Sequence, residues 1–120
     1  MATIKLKRVY LPAAPGDGYR ILVDRVWPRG VTKAKARVDA WLRDVAPSDT
    51  LRKWFGHDRE RWPEFKRRYL KEIAANRAAT QKLVDAINSH PKVTILFSAH
   101  DEECNQAVVL CIYLKRRLGR

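Results

Sequence analysis

Two groups of residues in this chain could do chemistry. The first is Asp24, Arg25, Trp27 and Arg29, within the run Leu22-Val23-Asp24-Arg25-Val26-Trp27-Pro28-Arg29-Gly30. An apolar segment there carries a carboxylate and a guanidinium to its end; a proline stops it, and a second arginine and a glycine follow. Charges at the end of a buried segment find little water and need partners, so this run is the default candidate site. Two guanidiniums suit a phosphate or carboxylate, with Asp24 orienting an arginine or accepting a hydrogen bond. The second group follows the most apolar segment of the chain: Ser98, His100, Asp101, Glu102, Glu103, Cys104 and Asn105. Asp24, Asp101 and His57 are the acid–base candidates, His57 standing on a turn after Trp54-Phe55-Gly56. Arg25, Trp27, Arg29, Trp54 and Asn105 are the candidate ligand-binding residues, the two tryptophans as walls beside turns.

Each of these residues also has a purely structural reading. Asp101 is a good helix N-cap, and Glu102 and Glu103 would lie in a first turn, where the helix dipole favours carboxylates. Arg25 or Arg29 could then simply lock that helix to a strand. Three carboxylates make such a helix start a poor phosphate cradle, so a phosphate would sit nearer Arg25, Arg29 and His57. A helix start lowers the pKa of a thiol such as Cys104, but Glu102 and Glu103 oppose that, and a buried inert cysteine is favoured over a nucleophile. The spacings of His57, His100, Asp101 and Cys104 match no zinc or iron pattern, so no metal site is expected. Trp41, Trp62, Phe65 and Tyr69 recur at helical spacing and read as core, not as a base-stacking platform. There is no glycine-rich phosphate loop and no nucleophile elbow.

The elements that must position these groups follow from hydrophobic periodicity. Residues 3–10 read as a strand with one wet face, and Pro12, Pro15, Gly16 and Gly18 as a turn-rich connection. A second strand is predicted over Tyr19–Trp27, with Ile21-Leu22-Val23 buried on both faces. Thr32 is placed to cap a helix over about 33–44 with Val38, Trp41, Leu42 and Val45 inward. Ser48 or Asp49 would cap a short helix ending at Phe55-Gly56. Further helices are predicted from near Glu60–Pro63 to about Asn76 and over 78–88. A third strand spans Val93–Ala99, and a last helix runs from Asp101 to about Arg117. The expected fold is α/β: a small, mainly parallel sheet of three strands or slightly more, flanked by about five helices. In such sheets ligands bind beyond the carboxyl ends of the strands. If the second and third strands are neighbours, the two reactive groups face one another. The relative direction of the first two strands is open, because their connection is short for a crossover.

With 120 residues the chain is one domain. Hydrophobic residues at 46% and charged ones at 32% mark a folded globular chain. No apolar stretch suits a membrane span, and Met1 to Lys7 lacks a signal-peptide core, so a cytoplasmic location is expected. Cys104 and Cys111, if on one helix, stand about 10 Å apart along its axis, too far for a disulfide. The net charge of +12 favours polyanionic partners. Residues 1–60 hold 13 basic and 7 acidic side chains and residues 61–120 hold 12 and 6, so there is no concentrated basic arm.

The residues also resemble those of a known family. The resemblance covers Gly18 to Gly30, Trp41, Ala46-Pro47-Ser48, Leu51-Arg52-Lys53-Trp54-Phe55, His57-Asp58, Phe65 and Tyr69. It continues through Val93-Thr94-Ile95-Leu96, Asp101-Glu102-Glu103, Asn105 and Ala107-Val108-Val109-Leu110. Together they are similar to the YeaO-like family, a branch of the domain of unknown function 488 group. The resemblance implies a small cytosolic α/β fold without an established activity. The wider group pairs an aspartate-valine-arginine strand end with a cysteine-alanine-glutamate end and a following cysteine-histidine-arginine. This chain has Ser98-Ala99-His100 and Cys104-Asn105-Gln106 there, so the thiol pattern is mostly missing, whereas Asp24, Arg25, Arg29 and Asn105 fit.

Three functions are compatible with these readings. The first is binding or conversion of an anionic ligand, such as a nucleotide, nucleic-acid component or phosphorylated or carboxylated metabolite, at the strand ends. The second is nonenzymatic nucleic-acid binding through the positive field. The third is a protein-interaction module. Cofactor and oligomeric state are not readable from the residues.

Overall fold

The alternation of side chains along two apolar strands sets the architecture. In the computed structural model, which describes residues 3–119, β2 (Tyr19–Leu22) pairs in parallel with β4 (Lys92–Phe97), Ile21 opposite Ile95 and Leu22 opposite Leu96. On the other side of β4 lies β1 (Thr3–Arg8), also parallel, with Arg8 opposite Phe97. A two-residue β3 (Ala40–Trp41) adds to the outer edge of β2, giving the order β1-β4-β2-β3. The helices are α1 (Lys33–Ala36), α2 (Asp49–Phe55), α3 (Trp62–Ala75), α4 (Arg77–Asn88) and α5 (Gln106–Leu118). The expected α/β fold with a small parallel sheet is therefore present, with four strands and five α-helices among the described residues. The first two strands are parallel to β4 and do not pair with each other.

Because strand side chains alternate, Ile21, Val23, Val93, Ile95 and Phe97 share one face. They pack there with Phe55, Phe65, Tyr69, Leu83, Ile87, Leu110 and Leu114 from α2–α5. Leu22 and Leu96 point to the other face, covered by Val9 and Ala36 with Trp27, Val31, Val38 and Trp41. That second face also holds buried polar groups. The Arg20 guanidinium donates to Ala36 O at 2.8 Å and Arg37 O at 3.2 Å and pairs with Asp17. Lys7 reaches Asp17 at 3.0 Å, and Thr94 Oγ1 donates to the Asp17 carbonyl at 2.7 Å.

Five predicted boundaries need correction. The helix over 33–44 stops after one turn: Thr32 caps it as expected, but Arg37 adopts a left-handed conformation with φ 47° and ends it. The chain then joins the sheet, because Asp39 accepts the Arg20 amide at 2.8 Å through its carboxylate and donates its own amide to Arg20 O at 2.8 Å. The apolar spacing at Val38, Trp41 and Leu42 imitated a helix while serving a strand edge. The second strand ends at Leu22 and not at Trp27. Val23 still donates to Leu96 O, after which Asp24 turns its carboxylate across to Ser98. The first and third strands are likewise shorter, ending at Arg8 and Phe97. The last helix starts at Gln106 and not at Asp101. Asp101 Oδ1 accepts the amides of Glu103 and Cys104, both at 3.0 Å, and closes a separate turn. Extended Asn105 is the true cap, its side chain accepting Val108 N. The short helix at Asp49 agrees with the reading: Ser48 caps it and left-handed Gly56 ends it at φ 53°.

Candidate functional site

The carboxyl ends of β1, β4 and β2 open on the same edge of the sheet, with β4 in the middle. The residues that leave these strands enclose a cleft of about 960 Å³. β1 contributes Arg8 and, just beyond it, Tyr10. The turn after β2 contributes Asp24, Arg25, Val26 and Arg29, and the segment after β4 contributes Ser98, Ala99, His100 and Asp101. Arg52, Phe55 and His57 come from α2 and its end, and Gln106 from the start of α5. Parts of the two groups marked in the sequence, Asp24, Arg25 and Arg29 from one and Ser98, His100 and Asp101 from the other, therefore meet in one cleft across neighbouring strands. The volume is in the range of small-molecule sites.

Asp24 lies at the cleft floor and is 7% exposed. Its carboxylate accepts the Ser98 amide at 3.1 Å, the Ser98 hydroxyl and Gln106 Nε2 at 2.6 Å. Burial pushes its pKa up, and the hydrogen bonds from Ser98 and Gln106 only partly offset that. The folded chain therefore binds the Asp24 proton more tightly than the unfolded chain. The stability linked to this group is full below the unfolded pKa near ~3.9 and is lost as pH rises through the folded value. Asp24→Asn keeps the shape: its amide oxygen can accept from Ser98 and its amide nitrogen can donate to a flipped Gln106. Urea melts between pH 3.5 and 7.5 are expected to show that Asp24→Asn gains on the wild type as pH rises. Parallel curves would show that Asp24 carries no such penalty.

The arginines are held differently. Arg8 donates from Nε to Ala99 O at 2.9 Å and from Nη2 to Ser98 O at 3.2 Å. Arg25 donates from Nε to Pro47 O and from Nη2 to Ala46 O, both at 3.2 Å. Carbonyls fix both guanidiniums without neutralising them, and Nη1 of each has no hydrogen-bond partner among the described residues. Arg29 is exposed, and its carbonyl accepts the Tyr10 hydroxyl at 3.0 Å. Among the described residues no carboxylate forms an ion pair with Arg8, Arg25 or Arg29. Asp101 pairs instead with Arg59, at 2.8 Å. Arg25 and Arg29 are thus not used to lock the start of the last helix, the structural role considered for them above.

Asp24, Arg25, Arg29, His57 and Asp101 all line the cleft. His57 is exposed, in a left-handed conformation with φ 58°. Trp27, Trp54 and Asn105 lie outside it. Trp27 donates to Val31 O at 2.7 Å and packs edge-on against Trp41. Trp54 lies under the guanidiniums of Arg61 and Arg68. Asn105 is 1% exposed and spends its side chain on capping α5 and on Asp101 O. Arg8, Tyr10 and Arg52 were not singled out as site residues by the sequence reading. Gly18-to-Gly30 drew attention through its own charge pattern, whereas Arg8 joins the site only because β1 neighbours β4.

A profile described as the inactive DUF488-N3 subclade matches residues 3–120. The chain belongs to that family. It is similar to the uncharacterized protein YeaO of Escherichia coli, at 41% identity over 112 residues that cover 93% of this chain and 96% of YeaO. It is also similar to the uncharacterized protein Rv3073c of Mycobacterium tuberculosis, at 49% identity over 70 residues that cover 58% of this chain and 59% of that one. No solved structure matches it. In this DUF488 chain the thiol of Cys104 is buried, and burial together with Asp101 pushes its pKa up, away from thiolate chemistry. Asp101 is held below the usual carboxylate range, first by the Cys104 amide and then by Glu103 N–H and Arg59. Among the described residues of this DUF488 chain no three His, Cys, Asp or Glu side chains gather into a metal-binding group, and no helix is long and apolar enough to cross a membrane.

Proposed function

We propose that this DUF488-family chain binds an anionic ligand in the cleft at the ends of β1, β4 and β2. The observation that carries this reading is the state of Arg8 and Arg25. Each is fixed by two backbone carbonyls and, among the described residues, has no hydrogen-bond partner at Nη1 and no ion-paired carboxylate. Arg29 adds to the same field, whereas Arg52, also at the cleft, is paired with Asp49 at 3.2 Å. The two acids of the cleft do little to oppose it, since Asp24 is enclosed by three donors and Asp101 is matched by Arg59. A preorganised guanidinium pair recognises phosphate or carboxylate through charge-assisted bonds.

The same details favour binding over turnover. A nucleophile with an adjacent base is what covalent catalysis requires, and Cys104 has instead a buried thiol pushed toward its neutral form. The description of the matching subclade as inactive agrees with this.

Thermal shift and calorimetry with phosphate, pyrophosphate and mononucleotides test the proposal, using Arg8→Met, Arg25→Met and Arg29→Met variants of unchanged circular dichroism. A ligand selective for the native state raises the melting temperature. Loss of one charge-assisted contact, worth about 1.5–3 kcal/mol, is expected to weaken binding by roughly tenfold or more for Arg8 and Arg25. Unchanged affinity in the folded variants would overturn the anion site. Affinity for nucleic acid that falls steeply with salt and ignores these variants would transfer the function to the general positive surface.

A further inference from the structure

The cleft has an apolar half that an inorganic anion would leave wet. Tyr10, 44% exposed, and Val26, 62% exposed, are two of the three large hydrophobic residues exposed among the described residues, and both line it. The ring of Tyr10 is held at its hydroxyl and on one face. Its hydroxyl donates to Arg29 O at 3.0 Å, and the Arg8 guanidinium lies 5.0 Å from its centroid. An exposed aromatic held in this way is a platform whose ordering entropy is already spent in the free protein. Phe55 and Phe65 border the cleft as buried core rings, stacked on one another with centroids 4.2 Å apart.

We infer that the ligand is a planar aromatic ring carrying a phosphate, the chemistry of a nucleotide, with its ring against Tyr10 and Val26 and its phosphate toward Arg8 and Arg25. This rests on the anion-binding reading and adds to it the class of ligand. Several guanidiniums match a doubly charged phosphate better than a single carboxylate. A ring stacked on the Tyr10 face away from Arg8 covers apolar surface that an inorganic anion leaves wet. A free mononucleotide and the 5′-terminal nucleotide of a single strand present the same chemistry.

The test is calorimetry on the full chain with a mononucleotide, its nucleoside, inorganic phosphate and a 5′-phosphorylated oligonucleotide, repeated on Tyr10→Ala and Tyr10→Phe. The mononucleotide is expected to bind at least tenfold more tightly than either phosphate or nucleoside. Tyr10→Ala is expected to weaken it by roughly tenfold, the scale of one lost base–aromatic stack, and to weaken the mononucleotide more than inorganic phosphate, while Tyr10→Phe restores most of the loss. An oligonucleotide that binds more tightly than the mononucleotide with the same dependence on Tyr10 identifies the strand end as the source. A mononucleotide no tighter than phosphate would overturn the aromatic subsite and leave the anion site standing. Failure of both to bind would remove the anion site as well. Oligonucleotide binding that is indifferent to Tyr10 and steeply salt-dependent would overturn the inference in favour of surface phosphate contacts.

Discussion

Replacing Arg20 by methionine is expected to destabilise the fold by about 3–5 kcal/mol, the range for removing one partner of a buried ion pair. Arg20 is 4% exposed and Asp17 3%, so Asp17 cannot turn to water when Arg20 is lost and keeps only lysine partners, chiefly Lys7 at 3.0 Å. The guanidinium also holds the carbonyls of Ala36 and Arg37, and these would be left without their donors. Urea unfolding measures the loss, and a value under about 1 kcal/mol would show that the pair is solvated after all. The pH dependence gives a second readout. Burial alone would raise the pKa of Asp17, but the Ala14 amide, Lys7 and Arg20 outweigh it and hold the carboxyl below its usual range. Such a group stabilises the fold above its unfolded pKa near ~3.9, and the contribution fades as pH falls through the lower folded value. The wild type should therefore lose stability in acid, and Arg20→Met should lose less over the same interval. Function is expected to suffer too, because Arg20 anchors the end of α1, and the segment from Asp24 to Arg29 runs into that helix.

Gly18→Ala is the second large effect. Gly18 has φ +65°, and a β-carbon there would stand 2.4 Å from Lys92 O and 2.6 Å from Lys92 Cβ. The nearer atom is backbone, at the start of β4, and cannot swing aside. The conformation at φ 65° and ψ −138° is open essentially to glycine and costs another residue about 1–3 kcal/mol, and overpacking typically adds about 1–3 kcal/mol. A destabilisation of about 2–6 kcal/mol is expected, with an amide-exchange loss concentrated in β2 and β4. Gly16→Ala serves as the control, since its β-carbon would meet nothing within 4 Å. Equal stabilities for the two variants would refute the close approach of the strands.

The contrast between these glycines shows what the sequence could reveal. The run of Pro12, Pro15, Gly16 and Gly18 marked a turn, but nothing in it distinguished the glycine that touches β4 from the one that touches nothing. Strand and helix types were readable where burial was periodic: Ile21 to Val23 and Val93 to Phe97 for the sheet, Phe65, Tyr69 and Ile73 for α3. The reading failed where side chains and not periodicity decide the backbone. Asp39 draws residues 39–41 into the sheet edge, and Asp101 spends its oxygens on a turn that delays α5. For the cleft, the charges of Asp24, Arg25 and Arg29 stood out because they interrupt an apolar run. Arg8 and Tyr10 looked like the wet end of a first strand, and only the placement of β1 beside β4 turns them inward.

That placement also governs how the chain can assemble while it is being made. β4 is the last strand to leave the ribosome, and it supplies the ladder for both β1 and β2, which make none with each other. A nascent chain that stops short of Lys92 therefore carries β1 without its ladder and β2 with only the two-residue β3 beside it. Pairing residues 3–8 with 92–97 spans most of the polypeptide, and closure over such a distance is slow. Until β4 emerges, Ile4 and Ile21 lack their partners on the middle strand, and it is in this interval that the chain most needs protection from other chains.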